Sequence, residues 1–129
     1  MRLVASDHPI LRTVCRSDFS IDVADINQMF ELMRAKGGLG LAAPQVGIDA
    51  RLFVTGWGQV FVDPQIVVAR DERLVPEGCL SLPGVEVQAL RFNNIVLANG
   101  ERFEGLQAQV IQHEIGHLNG ILITDGDRE

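Results

Sequence analysis

Leu106-Gln-Ala-Gln-Val110-Ile-Gln-His113-Glu114-Ile-Gly-His117-Leu-Asn119 is the stretch on which the fold turns. At about 100° per residue, an α-helix lines up Leu106, Val110, His113 and His117 along one stripe, with Glu114 at its edge. Ile111, Ile115 and Leu118 form an apolar arc beside it, and Gln109, Gln112, Gly116 and Asn119 fill the remaining, wetter arc. The spacing predicts a helix over 106–119 with both imidazoles in the buried stripe. Two histidines and a glutamate there are expensive to desolvate without partners. A metal ion is such a partner: imidazoles four residues apart can share one ion, and a neighbouring glutamate that binds no metal can take a proton and pass it on. Against this stands a plainer reading, two satisfied core histidines beside a chance glutamate.

Before this helix the chain has the pattern of strands. Residues 51–55 and 59–63 flank Gly56-Trp57-Gly58 as a hairpin with a three-residue loop, and 66–69 reads as another strand. Residues 85–89 and 95–98 form two more, joined around Asn93-Asn94 and closed by Asn99-Gly100. Nearer the start, Asp22 caps a helix whose Val23, Ile26, Met29, Phe30 and Met33 recur at helical spacing until Gly37-Gly38 ends it. Helix, strands, helix, without alternating crossover helices, predicts an α+β fold: antiparallel sheets packed around a C-terminal metal-binding helix, with one N-terminal helix. With 129 residues and no repeat or linker-like tract, residues 1–129 read as a single domain.

Composition narrows the partners. Eleven basic against seventeen acidic residues leave a net charge of −6, which disfavours direct binding to nucleic acid or anionic lipid. No apolar run approaches the ~20 residues of a membrane span, and Asp7 interrupts the N-terminus where an export signal needs a continuous apolar stretch. Cys15 and Cys79 therefore read as reduced thiols in a cytoplasmic protein.

A third metal ligand has to come from upstream. Six residues past His117, where metzincin proteases place another histidine, stands Ile123, and beyond it only Asp125, Asp127 and Glu129 offer carboxylates. Cys79 is the strongest candidate: it lies in Glu77-Gly-Cys-Leu-Ser-Leu-Pro-Gly84, bounded by Pro76 and Pro83, where prolines and glycines predict irregular backbone. A thiolate suits a borderline-soft dication. A buried structural thiol is the commoner fate of a cysteine, and that reading stands for Cys15. Gly38-Leu-Gly-Leu-Ala-Ala-Pro-Gln45 is open to three readings: a nucleotide-binding loop, a plain turn, or a backbone-lined active-site wall with Gln45 as donor. The helix before it and Pro44 within it speak against the first.

Together these three segments resemble the peptide deformylases, metal hydrolases that remove the formyl group from N-terminal formyl-methionine. With Φ an apolar residue, the family motifs Gly-Φ-Gly-Φ-Ala-Ala-x-Gln, Glu-Gly-Cys-Φ-Ser and Gln-His-Glu-Φ-Asp-His-Leu-x-Gly match at 38–45, 77–81 and 112–120, the last with one departure. The resemblance implies Cys79, His113 and His117 as ligands of one divalent ion per chain, with a fourth position left for water and Glu114 as general base and then general acid. It implies ferrous iron as the native ion, with zinc, nickel or cobalt able to occupy the site. It further implies that the Gln45 side chain and the Leu80 backbone N–H flank the formyl oxygen, that Gly40 and Gly78 line the substrate backbone, and that Leu39, Val110 and His113 contribute to a methionine pocket. Arg91 is expected to pair with Glu77 and orient the loop carrying Cys79.

Two departures stand out. Gly116 replaces the family aspartate on the non-metal side of the helix, at a cost of about 1 kcal/mol in helix propensity relative to alanine. Many family members also continue into a C-terminal helical segment, so ribosome docking assigned to that segment is not carried over. The expected partners are N-formyl-methionyl nascent peptides, and the expected state is a monomer of bacterial, organellar or viral origin. Two rivals remain at this level: another amide hydrolase on the same site, and a non-catalytic metal module closed by His8, Glu77 or a C-terminal acid.

Overall fold

The computed structural model describes residues 1–125. Its first helix, α1 (Val23–Ala35), buries Met29 and Met33, while Ile26 and Phe30 are half-buried beside them. Val23, counted in the apolar stripe from sequence, is exposed: it sits in the first turn, past the edge of the surface that the helix covers. Asp22 occupies the cap position without a side-chain cap hydrogen bond. The end falls at the expected glycines. Gly37 has φ +69°, and the N–H groups of Gly37 and Gly38 return to the carbonyls of Arg34 and Met33, a left-handed helix stop that glycine adopts without strain.

Six strands form two antiparallel three-stranded sheets: β1 (Gly40–Ala42), β2 (Leu52–Thr55) and β3 (Val60–Val62) in one, β4 (Ile66–Cys79), β5 (Leu82–Leu97) and β6 (Arg102–Glu104) in the other. The hairpin about Gly56-Trp57-Gly58 is present, and Phe53 of β2 stacks on Phe61 of β3 at 4.8 Å. β2 is buried on both faces. Successive side chains alternate, so Leu52 and Val54 pack toward α1, while Phe53 joins Ile95, Leu97, Ala108, Ile111 and Leu118 around the second helix, α2 (Gly105–Leu118). That helix contacts strands of both sheets. The expected α+β architecture around a C-terminal helix is therefore the observed one.

Three local expectations are corrected. Asn93-Asn94 is no turn; β5 runs unbroken through it, because Asn94 pairs with Arg70 of β4 on one side and Glu104 of β6 on the other. Pairing on both sides overrides asparagine's weak strand preference. The segment before Cys79 is likewise a paired strand, with Pro76 tolerated on edge strand β4 and irregularity confined to a register shift between Gly78 and Cys79. Finally, the arc read as wet on α2 is partly a docking face: Gln112 accepts from the Phe92 N–H at 2.8 Å and donates to the Phe92 carbonyl at 2.7 Å, fastening the helix to β5.

Candidate metal centre and active site

The β4–β5 hairpin delivers Cys79 to the face of α2 that carries His113 and His117. Cys79 Sγ lies 3.2 Å from His117 Nε2, which lies 3.1 Å from His113 Nε2. All three donor atoms fall within 4.8 Å of one another. Separations just over 3 Å are close to what bonds of about 2.0–2.3 Å to a single tetrahedral ion impose. Protonation agrees with this use. Glu77 Oε1 is 2.7 Å from His113 Nδ1; the carboxylate only accepts, so Nδ1 carries a proton, and Nε2 is the nitrogen whose lone pair the ring would offer a metal ion on losing its other proton. His117 Nδ1 is buried with no hydrogen-bond partner among the described residues.

Without a cation the charges conflict. Burial opposes protonation of His113, yet the Glu114 charge and the bonds to Cys79 and Glu77 push it up to about 10, while burial and the charge on His113 drive His117 well below the usual imidazole range. One proton thus sits where a dication would satisfy all three donors, and the donor set fits a metal.

Glu77, 7% exposed, is gripped on both oxygens: Arg91 Nη2 donates to Oε1 at 2.5 Å and Arg91 Nε to Oε2 at 3.0 Å. Gln109 adds a bond to Oε2 at 3.2 Å and another to the Pro76 carbonyl at 3.0 Å. The expected Arg91–Glu77 pair is present, and it points Glu77 at the Nδ1 side of His113. The other suggested closing ligands are engaged elsewhere: His8 Nδ1 accepts from the Ile10 N–H, and Asp125 pairs with Arg12. Asp127 and Glu129 lie outside the described residues.

Glu114, 3% exposed, places Oε2 3.9 Å from His113 Nε2, and its Oε1 has no hydrogen-bond partner among the described residues. Burial pushes its carboxyl up to about 7, against the lowering effect of the charge on His113. Gly40 makes room for it: a Cβ there would stand 2.6 Å from Glu114 Oε2.

These groups open on a cavity of about 540 Å³. Of the expected site residues, Leu39, Gly40, Gln45, Gly78, Cys79, Leu80, Val110, His113 and Glu114 line it, whereas His117 lies behind at 1% exposure. Gly38–Gln45 is neither a plain turn nor a phosphate loop; it is edge strand β1 followed by a 3₁₀ turn over Ala43–Val46, and it forms one wall. Gln45 is buried, its Oε1 accepting from the Ala42 N–H at 2.9 Å and its Nε2 lying 3.0 Å from Ser81 Oγ and 3.6 Å from Cys79 Sγ. Sequence reasoning missed Val75, Leu82, Val85, Leu106 and Gln109 as cavity residues. Leu106 shares the histidine stripe and was recoverable from the helical wheel; Val75, Leu82 and Val85 come together only through hairpin pairing.

Residues 1–128 match the family model described as polypeptide deformylase. A peptide deformylase of Chlorobium luteolum is 41% identical over 78% of this chain, which spans 62% of that relative's length, and one of Dictyoglomus thermophilum is 40% identical over 91% of the chain and 86% of the relative. Among solved structures, the peptide deformylase of Thermotoga maritima superposes with a TM-score of 0.88 at 36% identity, covering 97% of this chain and 95% of that one. No helix among the described residues is long and apolar enough to cross a membrane. With cysteine and histidine donors clustered as a candidate metal site on the same scaffold, the chain belongs to the polypeptide deformylase family and is a hydrolase of that kind, metal-dependent and acting on the N-terminal formyl group of formyl-methionyl peptides.

Proposed function

We propose that residues 1–129 act as one catalytic domain in which Cys79, His113 and His117 hold a single divalent ion, and Glu114 moves the proton as N-formyl-methionyl nascent peptides are cleaved to formate and a free amine. When bound, the ion supplies Lewis acidity and lowers the pKa of water. Glu114 takes the proton of the attacking water as the new C–O bond forms, then returns it to the departing nitrogen as the C–N bond breaks. Gln45 Nε2 and the Leu80 N–H donate to the oxygen on which charge develops. Leu39, Gly40, Gly78 and Val110 line the path of the substrate, the apolar members accepting the methionine side chain. Ferrous iron is the native ion in this reading, with zinc, nickel or cobalt as substitutes, since one thiolate with two imidazoles suits all four. The protein works as a cytoplasmic monomer that binds neither nucleic acid nor membrane directly, and no ribosome contact is assigned to it.

The observation that carries this reading is the buried Glu114 carboxyl on the wall of the cavity, with Oε2 3.9 Å from His113 Nε2 in the donor cluster and Oε1 without a partner among the described residues. Anaerobically purified protein is expected to release formate from formyl-Met-Ala-Ser, to leave acetyl-Met-Ala-Ser intact, and to carry one metal ion per chain in elemental analysis. Equal cleavage of both peptides, or of an internal amide, overturns it.

A further inference from the structure

We infer that Ser81 is a positioning residue for formamide hydrolysis, its hydroxyl holding the Gln45 carboxamide in the orientation that turns an N–H toward the cavity beside Cys79. The inference rests on the proposed reading of the site. The orientation of the amide follows from donor and acceptor chemistry: the Ala42 N–H can only donate, so Gln45 Oε1 must face it, 2.9 Å away. Nε2 is thereby turned the other way, toward Ser81 Oγ at 3.0 Å and Cys79 Sγ at 3.6 Å. Gln45 is 1% and Ser81 3% exposed, so bulk water does not compete for these bonds.

Ser81 is also well placed in the chain. Cys79 pairs with Leu82, leaving Leu80-Ser81 as the two-residue turn between β4 and β5. One short turn therefore carries the ligand Cys79 at its entrance, the Leu80 N–H, and the hydroxyl that grips Gln45. The two donors assigned to the formyl oxygen belong to different sheets: Gln45 follows β1, and Leu80 follows β4. The Ser81–Gln45 bond is a direct polar tie between them. A hydroxyl that accepts one hydrogen of Nε2 directs the second at Cys79 Sγ, 3.6 Å away, where a substrate oxygen bound beside the sulfur can take it over, and donors held in place before the reaction need little reorganisation during it. Without Oγ, a buried N–H loses its partner and the amide is free to turn.

Ser81→Ala in the metal-loaded enzyme is expected to lower kcat for formyl-Met-Ala-Ser about 10- to 100-fold, with KM changed less than about 2-fold and metal content unchanged. In a Gln45→Ala background the same substitution is expected to cost nothing further, because it acts through Gln45. Ser81→Thr keeps the hydroxyl and most of the activity; Ser81→Val, matched to it in shape, does not, and this pair decides the matter if the alanine variant fails to fold. In cobalt-substituted protein, loss of the hydroxyl also shifts the sulfur-to-metal absorption band, since Gln45 no longer stays against Cys79. Unchanged kcat in Ser81→Ala, equal activity of the Thr and Val variants, a full further loss in the Gln45→Ala background, or an unmoved cobalt band overturns the inference. A wild-type enzyme that releases no formate defeats the reading of the site instead, and the cobalt band still tests the Ser81–Gln45 tie.

Discussion

Glu77 Oε1 lies 2.7 Å from His113 Nδ1, on the side of the ring away from the sulfur and the second imidazole. The carboxylate thereby decides which nitrogen of His113 carries the proton, and Arg91 decides where the carboxylate points. Partners of this kind commonly govern metal affinity by about 10- to 100-fold. Glu77→Gln and Arg91→Ala are each expected to weaken metal binding by that amount, measured by competition with a chromophoric chelator. Affinity and activity unaltered in Arg91→Ala would remove the orienting role.

Glu114→Gln keeps the shape of the side chain and removes the base. Metal content is expected to stay at one ion per chain while turnover falls by several orders of magnitude, checked by elemental analysis alongside formate release. Retained turnover refutes the assigned role.

Gly40→Ala places a methyl group 2.6 Å from Glu114 Oε2, so the carboxylate must move. We expect kcat to fall about 10-fold or more, with the melting temperature shifted by only a few degrees, because the displaced atom is the end of a side chain rather than backbone. A variant with unchanged kcat would limit Gly40 to lining the substrate.

Two buried carboxylates give the metal-free protein opposite pH dependences. Burial alone would raise Glu77, but the bonds and charges of His113 and Arg91 prevail and hold it down to about 2. Its contribution to stability is full above the usual value of 4.5 and is lost as pH falls through about 2. Glu114 is pushed up to about 7 by burial, so its contribution is full below 4.5 and is lost as pH rises through about 7. Urea midpoints of chelator-treated protein are expected to show the acid-side loss disappear in Glu77→Gln and the loss between pH 4.5 and 7 disappear in Glu114→Gln. Curves parallel to wild type in both variants would refute these assignments.

Gly116 sits inside α2, where a Cβ would meet only ordinary contacts with Ile121 at 3.8 and 3.9 Å. Gly116→Ala is expected to stabilise the protein by about 1 kcal/mol through helix propensity alone, measured by chemical denaturation with metal content unchanged. Destabilisation would mean that the neighbouring backbone cannot accept the methyl group.

Spacing along α2 was enough to pair His113 with His117 and to set Glu114 beside them, because a helix repeats its faces every few residues whatever surrounds it. Periodicity likewise located α1, and local glycine chemistry located its stop at Gly37-Gly38 and the β2–β3 hairpin at Gly56-Trp57-Gly58. Asn93-Asn94 misled because local turn chemistry carries no information about neighbouring strands; with β4 on one side and β6 on the other, β5 had both sets of backbone groups satisfied as a strand.

What the sequence by itself determined is therefore the chemistry on hand and its local order: two imidazoles and a glutamate on one helix face, a thiol in a glycine- and proline-flanked segment, and a glutamine after paired glycines. What only the tertiary structure decided is how segments far apart in the chain meet: Glu77 on the Nδ1 side of His113, Gly40 under the Glu114 carboxylate, and Ser81 against Gln45. Local periodicity follows from backbone geometry within a few residues, whereas these contacts depend on strand register and sheet packing, which every paired residue along a strand sets jointly.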